Sequence, residues 1–189
     1  MSEYLRPSKY IDFDDEVVRA KAAALAAGLH GDLVIAETCY KFVRDEIRHS
    51  WDYQINLVTC KASDVLKKST GYCYAKSHLL AALLRASGIP SGLCYQRLSV
   101  CDSGAPYCLH GLNVVFLKGY GWYRCDPRGN KAGINAQFNP PHEVLAFPIR
   151  EPEECDLSGI WAEPLPEVID VLERYSDIAD VLANLPGLT

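Results

Sequence analysis

An α+β domain is predicted for this chain from three observations. Apolar residues recur at helical spacing through the first half, short β-branched and aromatic segments separated by turn signals follow, and the strands come after the helices rather than alternating with them. With 189 residues, 49% of them hydrophobic, the chain suits one compact domain burying a single core. The expected organisation is one domain over 1–189, with a core at about 32–130 and a C-terminal extension at about 131–189. No internal repeat or low-complexity tract interrupts it.

The helical half begins at Asp14–Leu29, where DDEVVRAKAAALAAGL opens with acids that suit a helix N-terminus and closes on Gly28 and Gly31. A second helix is expected from Asp32 to about Arg48, where Val34/Ile35, Thr38/Cys39, Phe42/Val43 and Ile47 fall on one face. Its charged run VRDEIR reads as a solvated face. After a loop holding Trp51 to Asn56, a short helix fits Ala62–Lys68, with Ser63 available as a cap. A long apolar helix then runs from Cys73 to Ser87 and stops at SGIP, where Gly88 can turn left-handed and Pro90 cannot continue. Beyond it the period changes. Gly92–Val100, Leu109–Leu117 and Trp122–Cys125, divided by DSGAP and KGYG, read as three antiparallel strands. A Pro/Asn-rich loop, an apolar stretch at Val144–Ile149 and a final helix near Glu167–Leu182 complete the chain.

The bulk numbers exclude several classes of function. A net charge of −5 with no Lys/Arg cluster argues against a nucleic-acid partner, since such binding rests on concentrated positive charge. The acidic, aromatic start MSEYLRPSKYIDFDDEVV lacks the basic and apolar regions of a signal peptide, so a cytoplasmic protein is expected. No run reaches the roughly 18–20 apolar residues needed to cross a bilayer, and no membrane association is expected. The eight cysteines are dispersed through patterned segments, so reduced thiols are the default. Cys39, Cys94 and Cys125 read as core residues. Cys101 and Cys108 bracket the DSGAPY loop, at a spacing that matches no common zinc knuckle.

Cys73 stands out chemically because it opens the long helix just after a glycine. Unpaired backbone N–H groups and the positive helix end favour a thiolate there, and the same N–H groups can stabilise an oxyanion. Gly71 would let a substrate backbone approach. A nucleophilic cysteine needs a base, and five histidines are present. His78 lies five residues along the same helix, about 140° round its axis, so it points elsewhere. His49 at a helix end and His142 in a loop stay open as candidates, but neither has an evident orienting carboxylate. His110 begins the strand HGLNVVFL, and Asp126 ends the next one, WYRCD. A three- or five-residue loop between the strands, with a glycine in a bulge, would put both side chains on one face, whereas a two-residue turn at Gly119 and Tyr120 would separate them.

This arrangement resembles the transglutaminase-like superfamily. The likeness rests on GYC (Gly71 to Cys73) at a helix start, the continuation LLAALLRASGIP, the strand histidine in LHGLNVVF, and GWYRCDP with Asp126. Upstream FVRDEIRHSWD and downstream AEPLPEVIDVL are also similar to bacterial transglutaminase-like proteins. The resemblance implies a papain/transglutaminase-like cysteine-protease core, with Cys73 as nucleophile, His110 as general base and acid, and Asp126 orienting the imidazole. It implies a cysteine protease, amidase or acyltransferase working through a thioester, with no cofactor and no metal. Trp51 and Gln54 are the candidates for an oxyanion-stabilising side chain. The chain has no room for the β-sandwich domains and calcium sites of large animal transglutaminases, so calcium-dependent cross-linking is not expected.

Gly71, Tyr72, Tyr107 and Trp122 are candidate groove residues, although Trp122 and Tyr123 also fit an ordinary core role. The walls are expected from the loops at 51–59, 101–107 and 129–139, with Arg128, Asn130 and Lys131 as polar contacts. The expected partner is a peptide or small amide, and the sequence leaves the oligomeric state open. Two other functions compete: acetyl transfer like that of arylamine N-acetyltransferases, and a binding module of the same fold without turnover.

Overall fold

The computed structural model describes residues 1–101 and 104–187, so Asp102 and Ser103 of the expected DSGAP turn lie outside the described residues. Helix α1 (Glu16–Ala26) starts where the Asp15 carboxylate accepts the Val17 N–H at 2.9 Å. Helix α2 (Asp32–Lys41) runs into a single π-helical turn at Phe42–Glu46. The expected continuation to Arg48 does not occur. Arg48–His49 instead form β1, which pairs in parallel with β2 (Thr70–Gly71), His49 opposite Gly71. The cause is tertiary: the buried Lys76 ammonium donates to the carbonyls of Ile47 and Arg44, so the helix end is held by another helix rather than by its own next turn.

Helix α3 (Ala62–Lys68) precedes β2, and α4 (Cys73–Ala86) follows it. Every residue of α4 from Cys73 to Arg85 is buried, with α1, α2 and α3 packed around it and the sheet against its other side. Strands β3 (Ser91–Ser99), β4 (Tyr107–Leu117), β5 (Gly121–Cys125) and the short β6 (Cys155–Asp156) form an antiparallel sheet ordered β5-β4-β3-β6. The α4 face of the sheet joins the main core, while Cys94, Leu112 and Val114 pack a smaller cluster on the reverse face. Gly111 lets the helix close on β4, because a Cβ there would lie 2.8 Å from Tyr74 Cδ1. The Tyr74 hydroxyl fixes the same contact by donating to the Leu109 carbonyl.

The β4–β5 hairpin turns through three residues, 118–120, and pairing runs unbroken from Asn113↔Cys125 to Leu117↔Gly121. Gly119 and Gly121 have φ of +91° and +81°, so the glycines serve the turn and not a bulge. The expected final helix is two helices, α5 (Pro166–Arg174) and α6 (Ile178–Ala183). They divide at Tyr175–Asp177 because the Asp177 carboxylate caps the Ala179 N–H at 2.8 Å and starts a new helix. Asn56 ties this junction to the upstream loop, donating to Asp177 and accepting the Ile178 N–H.

Candidate active site

Cys73 occupies the first turn of α4 and is 3% exposed, on the wall of a cavity of about 760 Å³. The residue capping that helix, Tyr72, offers no side-chain acceptor, so the first N–H groups of α4 are not occupied by a cap. His110 lines the same cavity. The three-residue hairpin brings Asp126 diagonally across from it, with Nε2 to Oδ2 at 2.8 Å. Asp126 is fully buried, and its carboxylate also accepts the backbone N–H groups of Arg128 at 3.0 Å and Ala146 at 3.2 Å. Burial alone would raise this carboxyl, but His110 and the two N–H groups together hold it below its ordinary value. Burial likewise disfavours the imidazolium, yet Asp126, with a side-chain hydrogen bond that His110 donates to the Cys73 sulfur, pushes His110 up to about 10. The ring is packed edge-on to Phe147 at 4.9 Å.

A second histidine faces this cavity. The β1–β2 ladder sets His49 beside the segment that leads into Cys73, and its ring lies 5.0 Å from that of Tyr72. Nδ1 is 3.5 Å from the Asp52 N–H and 3.4 Å from Asp52 Oδ2. That carboxylate is already engaged by Arg128, at 2.6 and 3.1 Å, and by Lys131 at 2.7 Å. Burial works to raise the Asp52 carboxyl, but these two cations bring it to about 2. For His49, burial and then the charge of Arg128 dominate, and its pKa is lowered well below 6.5 despite Asp52. His49 is therefore a neutral imidazole at pH 7, and its Nε2 has no hydrogen-bond partner among the described residues.

The other expected residues divide. Trp51 and Tyr72 line the cavity. Gln54 does not: it sits at φ +52° in the loop and borders a separate surface hollow with Asn56 and Asp177. Gly71 is also not a substrate contact. Its missing Cβ faces Thr59, Ala75 and Val65, so the glycine serves the packing behind the start of α4. Tyr107 turns away to Glu153, at 3.3 Å, beneath the Arg97 guanidinium. Trp122 packs edge-on against Tyr4 and Phe116. Of the polar candidates, Arg128 and Lys131 reach the cavity, while Asn130 is bonded within its own loop to Ala136. His78 is buried with Nδ1 against the Cys60 carbonyl, and His142 lies in an exposed turn. Phe147, Leu182 and Leu185, from the C-terminal third, complete the cavity wall.

A buried helix carrying a cysteine at its N-terminus, packed on a curled antiparallel sheet, defines the fold class shared by transglutaminase-like proteins and cysteine proteases. The transglutaminase-like superfamily model matches residues 19–127, more than half of the chain, and the chain belongs to that superfamily. A solved structure of a candidate cysteine protease from Cytophaga hutchinsonii is similar at 18% identity and a TM-score of 0.54, covering 66% of this chain and 40% of that one. The periplasmic domain of TgpA from Pseudomonas aeruginosa is similar at 19% identity and a TM-score of 0.48, covering 66% and 45%. The chain thus spans less than half the length of these solved relatives. No match was found among curated proteins. Among the described residues, no helix is long and apolar enough to cross a membrane.

Proposed function

We propose that this chain is a thiol enzyme of amidase or protease type, in which Cys73 attacks an amide carbonyl, His110 moves the proton and Asp126 orients His110. The observation that carries this reading is His110, bonded to the buried Asp126 at 2.8 Å, on the wall of the cavity that Cys73 also lines. The Cys73 sulfur bonds to the carbonyl carbon, and the oxygen takes up negative charge. His110 then gives its proton to the leaving amine as the C–N bond breaks, producing a thioester. Water, deprotonated by His110, releases the acid and restores the thiol; an amine in place of water gives transfer.

Two donors suit the oxyanion: the uncapped first N–H groups of α4, and His49 in place of Trp51 or Gln54. An imidazole that accepts the Asp52 N–H on Nδ1 keeps its proton on Nε2 when neutral. Burial and the neighbouring cations favour that neutral form. A peptide or small amide is the substrate class, and a cytosolic setting suits a chain with eight scattered cysteines.

The test is intact-mass detection of an adduct on Cys73 from a panel of peptide amides, small amides and acetyl-coenzyme A, with and without an added primary amine. A thioester from an amide donor, absent in Cys73→Ser, is expected. Whether free acid or the new amide accumulates then separates hydrolysis from transfer. Adducts from acetyl-coenzyme A alone would favour acetyl transfer, and no adduct from any donor would leave only the fold.

A further inference from the structure

Cys108 has no part in the chemistry above, yet it is the other cysteine among the described residues lining the Cys73 cavity. It lies two residues before His110 on β4, so its side chain leaves the strand on the same face as that imidazole. It is half-buried and packs against the core cluster that includes Cys73. The contacts of Tyr74 with Leu109 and Gly111 press the first turn of α4 onto this same stretch of strand. The other six thiols lie outside the cavity. Cys39, Cys60, Cys94 and Cys125 are buried, and Cys101 and Cys155 are exposed on the surface.

We propose that Cys108 is a resolving thiol for Cys73, and that a hydroperoxide converts the two into a reversible disulfide that switches the site off. The inference rests on Cys73 being the nucleophile of the proposed reaction. In the first step the Cys73 sulfur attacks one oxygen of hydrogen peroxide; an S–O bond forms, the O–O bond breaks, the sulfur loses two electrons to give a sulfenic acid, and the departing hydroxide takes the proton that Cys73 gave up and leaves as water. In the second, the Cys108 sulfur attacks the Cys73 sulfur. The S–S bond forms, the S–O bond breaks, and the departing hydroxide takes the Cys108 proton as water. The net change is two thiols and one peroxide to one disulfide and two waters. A dithiol reductant reverses it by exchange.

Burial and then the Cys73 charge push the Cys108 thiol up to about 12, in keeping with two sulfurs that line one cavity. Cys108 therefore rests as an inert thiol until Cys73 is oxidised. The benefit is protection. A sulfenic acid with no resolving partner proceeds to the sulfinic acid, which thiol reductants do not reverse.

The experiment treats the full chain with about one to two equivalents of hydrogen peroxide and follows activity, intact mass and peptide linkage. The expected wild-type product is about 2 Da lighter, joins the Cys73 and Cys108 peptides, and recovers most of its starting activity with dithiothreitol. Cys108→Ser should instead become roughly 32 Da heavier at Cys73 and recover little, each protein being compared with its own untreated rate. The inference is overturned if wild-type Cys73 reaches the sulfinic acid with no link to Cys108, or if Cys108→Ser recovers as fully as wild type. Acylation of the untreated protein is measured in parallel. Acylation without the cross-link sinks the switch alone, whereas failure of both sinks the proposed function with it.

Discussion

Two histidines face one cavity, each with an aspartate beside it, and the protein shifts their basicity in opposite directions. His110 meets Asp126 at 2.8 Å and is pushed up to about 10, while His49 stands 3.4 Å from Asp52 and is lowered well below its ordinary value. Burial opposes the imidazolium at both sites. What separates them is what else the carboxylate serves. Asp126 takes two backbone N–H groups and keeps its charge for the imidazole, but Asp52 is shared with Arg128 and Lys131, and the Arg128 charge also acts against the ring. A neighbouring acid therefore does not make a histidine basic; an acid with no competing cation does.

The strongest way to break the contrast is Asp126→Asn, which removes the charge and unsettles the ring tautomer. A loss of about 10³-fold or more in kcat is expected. The alkaline limb of the rate profile should move from near 10 down toward 6.5. An unmoved limb would show that Asp126 does not set the His110 proton. His49→Ala comes next, with a fall of about 10²-fold in kcat if its N–H serves the oxyanion. Alkylation of Cys73 by iodoacetamide, which forms no oxyanion, should change by less than about threefold in the same variant. A parallel collapse of alkylation would mean that His49 only supports the wall.

Arg128→Met sharpens the comparison without replacing either histidine, because it removes one of the two cations on Asp52 and leaves Lys131 as the other. The His49 ring should then titrate closer to 6.5 in an NMR pH series, and a ring still neutral throughout would refute the competition argument.

The smallest effect is on stability. Neutral buried histidines such as His49 and His78, the latter lowered to about 4, are protonated more readily in the unfolded chain. Between pH 6.5 and 4 the unfolded state binds more protons, so stability falls with acidification, for His78 by on the order of 2–3 kcal/mol. His110 acts the other way. Its contribution is full below 6.5 and is lost as pH rises toward 10. Urea unfolding across this range should therefore give greatest stability near pH 6.5, with a shallower acid limb in His78→Gln.

Local signals were enough for much of this architecture. Gly88 and Pro90 end α4 as their backbone chemistry requires, and the requirement that His110 and Asp126 share a face leaves a three- or a five-residue hairpin, of which the three-residue one is found. The split between α5 and α6 was missed, because the apolar pattern runs on through 167–182 and hides the cap that Asp177 supplies inside it. So was His49. Its helical period continues through Ile47, and what stops the helix is Lys76, close in space but 29 residues on from Ile47. With β1 read as helix, the ladder that brings His49 opposite Gly71 disappears, and Trp51 and Gln54 are left as the upstream candidates. Tyr107 and Trp122 show the converse error: aromatic residues near a site in sequence that Arg97, Tyr4 and Phe116 hold elsewhere.

Lys76 has a mechanical consequence. It lies three residues past Cys73, about 4.5 Å along the same rigid rod, and its amine grips the chain two residues before His49. Thiol and facing wall are thus bolted to one beam. The gap between them is gauged within a single helical turn, whatever the tail beyond Pro148 does.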